Sequence, residues 1–160
     1  MKIFVIDDEA FMREAIQTFL KEKFPEDEVI TFETGENALQ HIYQKPDVIF
    51  LDFYLNLKES EAQNGIEILK QIKNILPDTP VIMLSSQDSV TVAADTIKYG
   101  AYDYIVKSES AFARLQILLN KIHGYNQLNK RFEFQRIMNI VLAVLLAGLL
   151  IGMLAMKFYT

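Results

Sequence analysis

The chain has no cysteine among its 160 residues. That excludes a disulfide framework, a thiolate metal site and a thiol nucleophile. It suits a reducing compartment. Histidine is scarce too: His41 and His123 are the only two, and neither follows a predicted strand. Nothing in their surroundings marks either as a phosphohistidine. A basic surplus is also missing. Lys and Arg number 16 against 21 Asp and Glu, a formal net charge of −5. The deficit sits in residues 1–124, with 12 basic against 20 acidic side chains; residues 125–160 carry 4 against 1. An acidic globular part argues against nucleic acid, which rewards basic patches. The opening "MKIFVIDDE" is too short in its apolar run, and acidic too early, for a signal peptide. There is no internal repeat and no low-complexity segment.

One long apolar run is present. "IMNIVLAVLLAGLLIGMLAM", residues 137–156, has Asn139 as its only strongly polar member. A helix of that length spans about 30 Å, the hydrocarbon thickness of a bilayer. Eleven of its residues are Leu, Ile or Val; at roughly 0.3–0.6 kcal/mol each they favour insertion by about 3–7 kcal/mol at most. The alternative, a buried core helix, does not explain apolar side chains on every face. Lys130, Arg131 and Arg136 precede the run and only Lys157 follows it. The positive-inside rule then predicts a single-pass segment in the cell (inner) membrane with residues 1–124 in the cytoplasm. Phe132, Phe134, Phe158 and Tyr159 stand where interfacial aromatics belong. With four residues after the run, the expectation is a tail anchor. Gly148 and Gly152 form a GxxxG pair within it, a candidate homodimer face. Residues 125–136 read as a charged, aromatic juxtamembrane linker, with Gly124 as a candidate hinge.

Residues 1–124 read as one domain. Apolar runs at 2–6, 28–32, 47–51, 80–84 and 102–106 alternate with helical patterns at 9–24, 35–44, 65–76, 88–99 and 110–124. In the first helix Phe11, Ala15, Phe19, Leu20 and Phe24 are the expected inward set; in the third, Ile66, Leu69, Ile72 and Ile75 or Leu76. Strict alternation predicts a parallel sheet with helices on both faces.

In such sheets ligands bind beyond the carboxyl ends of the strands. The first strand ends in Asp7 and Asp8, the third in Asp52, the fourth in Ser85 and Ser86, the fifth in Lys107. Three carboxylates, a hydroxyl and an ammonium therefore share one edge. Carboxylates this close raise one another's pKa unless a cation intervenes. An all-oxygen set favours Mg²⁺ or Mn²⁺ over zinc. A hard cation, an acidic nucleophile and a lysine together suggest phosphoryl transfer. Each residue also has a plainer reading. Asp7, Asp8 and Glu9 could cap the first helix, Ser85 could be an N-cap, Lys107 could be solvated, and Tyr104 could be sheet packing.

"VIDDE", "PDVIFLDFYL", "NGIEILKQIK", "PVIMLSS" and "KYGAYDYIVK" together resemble the receiver domain of response regulators in two-component signalling, over residues 2 to about 122. The resemblance implies a doubly wound, flavodoxin-like sheet of order 2-1-3-4-5. It implies Asp52 as phosphoacceptor, and Asp7, Asp8, Asp52 and the Tyr54 backbone carbonyl as Mg²⁺ ligands. Ser85 and Tyr104 would be the switch pair, Lys107 the ammonium that pairs with the phosphoryl group, and Tyr54 and Gln87 the positions that modulate hydrolysis. The donor would be a histidine kinase or histidine phosphotransfer protein. The output would pass by protein–protein contact to a partner the sequence does not name, with no catalysis beyond the domain's own phosphoryl chemistry. The rival reading is a pseudo-receiver, an interaction module held at the membrane without phosphorylation. An aspartate-nucleophile phosphatase fits poorly, because those enzymes place the nucleophile after the first strand.

Two positions depart from the family pattern. The Pro usual about four residues after the acceptor is missing, and the following Gly, Gly65, comes 13 residues after Asp52. The stretch "NLKESEAQ", 56–63, is thus a longer polar loop, either a gate beside Asp52 or a tolerated insertion. Ser108 replaces the Pro usual after Lys107. A cis bond before a non-proline residue costs about 2.5–4 kcal/mol, so the loop geometry is expected to differ there.

Overall fold

The computed structural model describes residues 1–55 and 64–159. The loop 56–63 singled out in the sequence lies outside the described residues. The strands are β1 Lys2–Ile6, β2 Glu28–Phe32, β3 Val48–Asp52, β4 Val81–Ser85 and β5 Asp103–Val106. They alternate with α1 Ala10–Lys23, α2 Gly35–Gln40, α3 Gly65–Ile75, α4 Val90–Lys98 and α5 Ala111–Tyr159. All pairings are parallel and the order is β2-β1-β3-β4-β5. The chain divides into two units, Met1–Ile117 and Leu118–Thr160.

Burial on both faces explains the continuously apolar strands. Every residue of β3 and of β4 is buried. Strand side chains alternate between faces. Phe4, Ile6, Ile49, Leu51, Val81 and Met83 join Ala38 of α2 and Ile68, Leu69 and Ile72 of α3 in one core cluster. Ile3, Val5, Val48, Phe50, Ile82 and Leu84, equally buried, turn to the other face. There Phe19 of α1 neighbours Phe112 of α5, ring centroids 5.1 Å apart.

Three details correct the sequence reading. Phe11 is 80% exposed, and α1 buries Ile16 beside the expected Leu20, with Ala15, Phe19 and Phe24 half-buried. In α3 the inward set also includes Ile68, and of the alternatives Ile75 and Leu76 it is Leu76 that packs on the core while Ile75 is exposed. The helix expected over 35–44 stops at Gln40 and continues as a 3-10 turn, Ile42–Gln44. Lys45 then takes a left-handed conformation, φ 52°, to reach the Pro46 turn into β3.

Local chemistry fixes the helix starts. Asn64 and Glu67 make a reciprocal capping box at α3. Thr34 caps α2 and Ser89 caps α4. Gly65 is required by close approach. A Cβ there would meet the Asp52 carbonyl oxygen and lie 2.9 Å from Phe53 backbone atoms. The Gly65 N–H donates to the Phe53 carbonyl at 3.2 Å. The first turn of α3 is thereby held against the end of β3.

In the second unit the helical backbone runs through Gly124 without interruption. α5 is the one helix among the described residues long and apolar enough to cross a membrane; its most apolar window has mean hydropathy 2.7 and no buried residue.

Candidate functional site

The strand ends converge as the alternation demands. Asp7, Asp8 and Asp52 each bring a carboxylate oxygen within 4.8 Å of the others. Asp7 is fully buried, Asp52 is 3% exposed and Asp8 is half-buried. Lys107, from just beyond β5, places its Nζ 2.7 Å from Asp7 Oδ2 and 2.9 Å from Asp52 Oδ1. It is an internal counter-ion, not a solvated strand-end lysine. Ser85 is fully buried at the end of β4.

The supporting bonds explain why these groups hold their places. The Asp7 Oδ1 atom accepts from the Glu9 N–H at 2.9 Å, and the Asp7 carbonyl accepts from Arg13 at 2.6 Å. Asp7 thus takes part of the helix-start role, but through one oxygen only; its other oxygen faces Lys107. The Phe53 N–H donates to Leu84 and the Lys107 N–H to Ser85, fixing the ends of β3 and β5 against β4. The peptide after Lys107 is trans, since no cis bond occurs among the described residues. With Ser108 in place of Pro, the lysine still reaches both carboxylates.

Burial dominates the electrostatics. It raises the Asp7 carboxyl pKa, with Lys107 pulling the other way. It raises that of Asp52 as well; Lys107 opposes this, and Asp7 and Asp8 reinforce it. Burial alone would lower Lys107, but its bonds and charge contacts with Asp7 and Asp52 outweigh that and raise its pKa. Apart from these ion pairs, no hydrogen-bond donor among the described residues serves Asp7 Oδ2 or Asp52 Oδ1. Two buried carboxylate oxygens that meet one ammonium and no other donor fit a hard, oxygen-seeking divalent cation.

The remaining predicted residues flank this cluster. Ser85 Oγ accepts from the Gln87 N–H at 3.1 Å; the N-cap role belongs to Ser89. Tyr104 is 8% exposed and donates its hydroxyl to the Gln87 carbonyl at 2.6 Å. Tyr54 lies in the turn after β3, its ring edge-on to Phe53. His41 and His123 stand elsewhere, their Nδ1 atoms on the backbone carbonyls of Asn37 and Leu119. Sequence reasoning missed Arg13 and the positional role of Gly65. Both act through the backbone, which residue type alone does not announce.

The arrangement defines a class before any individual: an acidic edge pocket of a 2-1-3-4-5 sheet, with a lysine locked into it. The chain belongs to the response regulator receiver domain family, whose model matches residues 3–120. Among curated proteins it is similar to a protein-glutamate methylesterase/protein-glutamine glutaminase of Bacillus subtilis (strain 168). The two are 36% identical over 116 residues, covering 71% of this chain and 31% of that protein. The counterpart in Geobacillus kaustophilus (strain HTA426) is 41% identical over 113 residues, covering 67% and 30%. The chain therefore spans about a third of the length of these relatives, across their receiver regions. Among solved structures it is similar to the receiver domain of NtrX from Brucella abortus, with 30% identity, TM-score 0.66, and coverage of 75% of this chain and 96% of that one. A response regulator receiver domain protein from Clostridium thermocellum has TM-score 0.68, with 28% identity and coverage of 79% and 97%. Receiver domains bind Mg²⁺ at an acidic pocket, and histidine kinases or phosphotransfer proteins phosphorylate them.

Proposed function

We propose that this chain is a membrane-anchored receiver that accepts a phosphoryl group on Asp52 from a histidine kinase or histidine phosphotransfer protein. The observation that carries this reading is Lys107 Nζ between Asp7 and Asp52. It keeps a buried carboxylate close to a cation that can follow the charge when a phosphoryl group arrives.

An Asp52 carboxylate oxygen attacks the phosphorus of a phosphohistidine. The O–P bond forms, the P–N bond breaks, and the bonding pair returns to the imidazole. Asp7, Asp8, Asp52 and the Tyr54 carbonyl would hold Mg²⁺, which when bound supplies charge neutralisation for the phosphoryl oxygens. Lys107 pairs with the phosphoryl oxygens in place of the bare Asp52 carboxylate. The Ser85 hydroxyl accepts from Gln87, so its own proton is free to donate to a phosphoryl oxygen. That donation draws the loop after β4 toward Asp52, and Tyr104, bonded to the same loop at Gln87, follows. The output face is the groove between α4, β5 and the start of α5, where Val90, Ile97 and Arg114 are exposed to a partner protein and the buried Tyr104 ring forms part of the wall. Tyr54 and Gln87 modulate hydrolysis of the acyl phosphate.

The apolar segment 137–156 holds the receiver at the cytoplasmic side of the membrane. Its hydropathy, a most apolar window without a buried residue, and Lys130, Arg131 and Arg136 ahead of it support this. Titrating the full chain in lipid nanodiscs with beryllofluoride and Mg²⁺ tests the site. The reading predicts saturable NMR shifts at Ser85, Gln87 and Lys107, lost in Asp52→Asn. Shifts that persist in the variant, or none in the wild type, would favour a pseudo-receiver.

A further inference from the structure

The second unit carries a feature that the receiver chemistry does not use and that anchoring, with Phe132 and Phe134 as interfacial aromatics, explains only in part. Between residues 125 and 136 the exposed apolar side chains are Tyr125, Leu128, Phe132 and Phe134. The first three lie three and four residues apart, on one stripe of α5. They are 65%, 53% and 65% exposed in a stretch that, Phe134 apart, is otherwise made of Asn, Gln, Lys, Arg and Glu. The same spacing continues without a break through Gln135, Asn139, Leu142 and Leu146, into the apolar segment. A shallow groove lies along this face, lined by Phe132, Gln135, Arg136, Asn139, Ile140 and Ala143.

Lipid does not cover the aqueous part of the stripe. The helix is unbroken from Ala111 to Tyr159, and no proline follows Pro80. A helix that continues directly into the bilayer cannot also lie flat in the headgroup layer over 125–136. An apolar line at heptad spacing calls instead for a second helix.

We propose that α5 forms a parallel, in-register dimer with a second copy of this chain along Tyr125, Leu128, Phe132 and Asn139. Two features select a second copy over another partner. An amide both donates and accepts, so Asn139 is matched by an identical Asn139. Anchoring by the same segment sets both helices parallel and at equal depth, which puts each stripe residue opposite itself. This argument rests on the membrane reading above. The face is not the GxxxG face. Gly148 comes nine residues after Asn139, about half a turn around the helix axis at roughly 100° per residue. One element opposes the dimer. Arg131 and Arg136 occupy the flanking positions that meet across a parallel pair. Their repulsion makes the association weak and reversible.

Because the chain has no cysteine, single-cysteine variants of the full chain in native membranes each report one position. Leu128→Cys, Phe132→Cys and Leu142→Cys are expected to form self-disulfides several-fold more readily than Lys130→Cys and Phe134→Cys on the far side. In the Leu128→Cys background, Arg131→Glu should raise the yield, Asn139→Leu should lower it several-fold, and Asn139→Gln should restore it. Equal yields around the helix, maxima at Gly148→Cys and Gly152→Cys, or adducts with a different protein would each overturn the proposal. Alkaline carbonate extraction of the same membranes reports the anchor separately. A released chain loses the equal depth on which register stands, and the dimer falls with the anchor. A retained chain without stripe crosslinks keeps the anchor and loses the dimer.

Discussion

Tyr104 on β5 donates its hydroxyl to the Gln87 carbonyl across 2.6 Å, joining one strand to the loop that leaves its neighbour. The Gln87 N–H in turn donates to Ser85 Oγ. A single exposed residue is therefore tied through both backbone groups to the two side chains proposed as the switch. Movement of Ser85 toward a phosphoryl oxygen is transmitted to Tyr104 through one residue's backbone.

Tyr104→Phe removes that bond and keeps the buried ring. It should lower stability by about 0.5–1.5 kcal/mol, because water can reach the exposed Gln87 carbonyl and limit the loss. Urea denaturation measures the cost. Amide exchange should quicken at Gln87 and stay unchanged in β1.

Gly65→Ala should cost more, about 1–3 kcal/mol from overpacking alone. The new methyl meets backbone at Asp52 and Phe53, which cannot rotate away. Thermal denaturation tests this. Gly124→Ala is the control, since nothing lies within 4 Å of its Cβ position; it should be neutral or slightly stabilising.

Asp52→Asn should stabilise the metal-free protein at neutral pH. The sign follows from linkage. Burial raises the Asp52 pKa on folding, so the folded state holds the proton more tightly than the unfolded state. That contribution is full below the unfolded value near 3.8 and is lost as pH rises through the folded pKa. Asparagine carries no such charge to desolvate. The stability gap between variant and wild type should close at pH below 3.8 and narrow when Mg²⁺ is added. A variant less stable than wild type in chelator at neutral pH would contradict the electrostatic account.

The reactive corner was legible because strand ends are legible. Apolar runs fix where β1, β3, β4 and β5 stop, and the polar residue at or just after each stop is the one presented at the carboxyl edge of the sheet. Asp7, Asp8, Asp52, Ser85 and Lys107 follow from that rule alone. The strand order came only from resemblance, since alternation fixes parallel crossovers but not which strands are neighbours. On α1 Phe11 was misplaced and Ile16 missed, because Phe11, Ala15 and Phe19 make as good a helical stripe as Ile16 and Leu20 do. Which stripe faces the sheet depends on the crossover, which is a property of the chain path. Asp7 and Asp8 were legible as a pair but not as individuals. Only the fold shows that Asp7 points inward to Lys107 while Asp8 stays half-buried.

Intact-mass measurement after incubating the full chain with Mg²⁺ and a phosphorylated histidine phosphotransfer protein is the most direct test of the central claim. The account predicts one added phosphoryl group on the wild type, labile at alkaline pH as an acyl phosphate is, and none on Asp52→Asn. Equal incorporation in both chains, or none in a wild type that binds Mg²⁺, would contradict it.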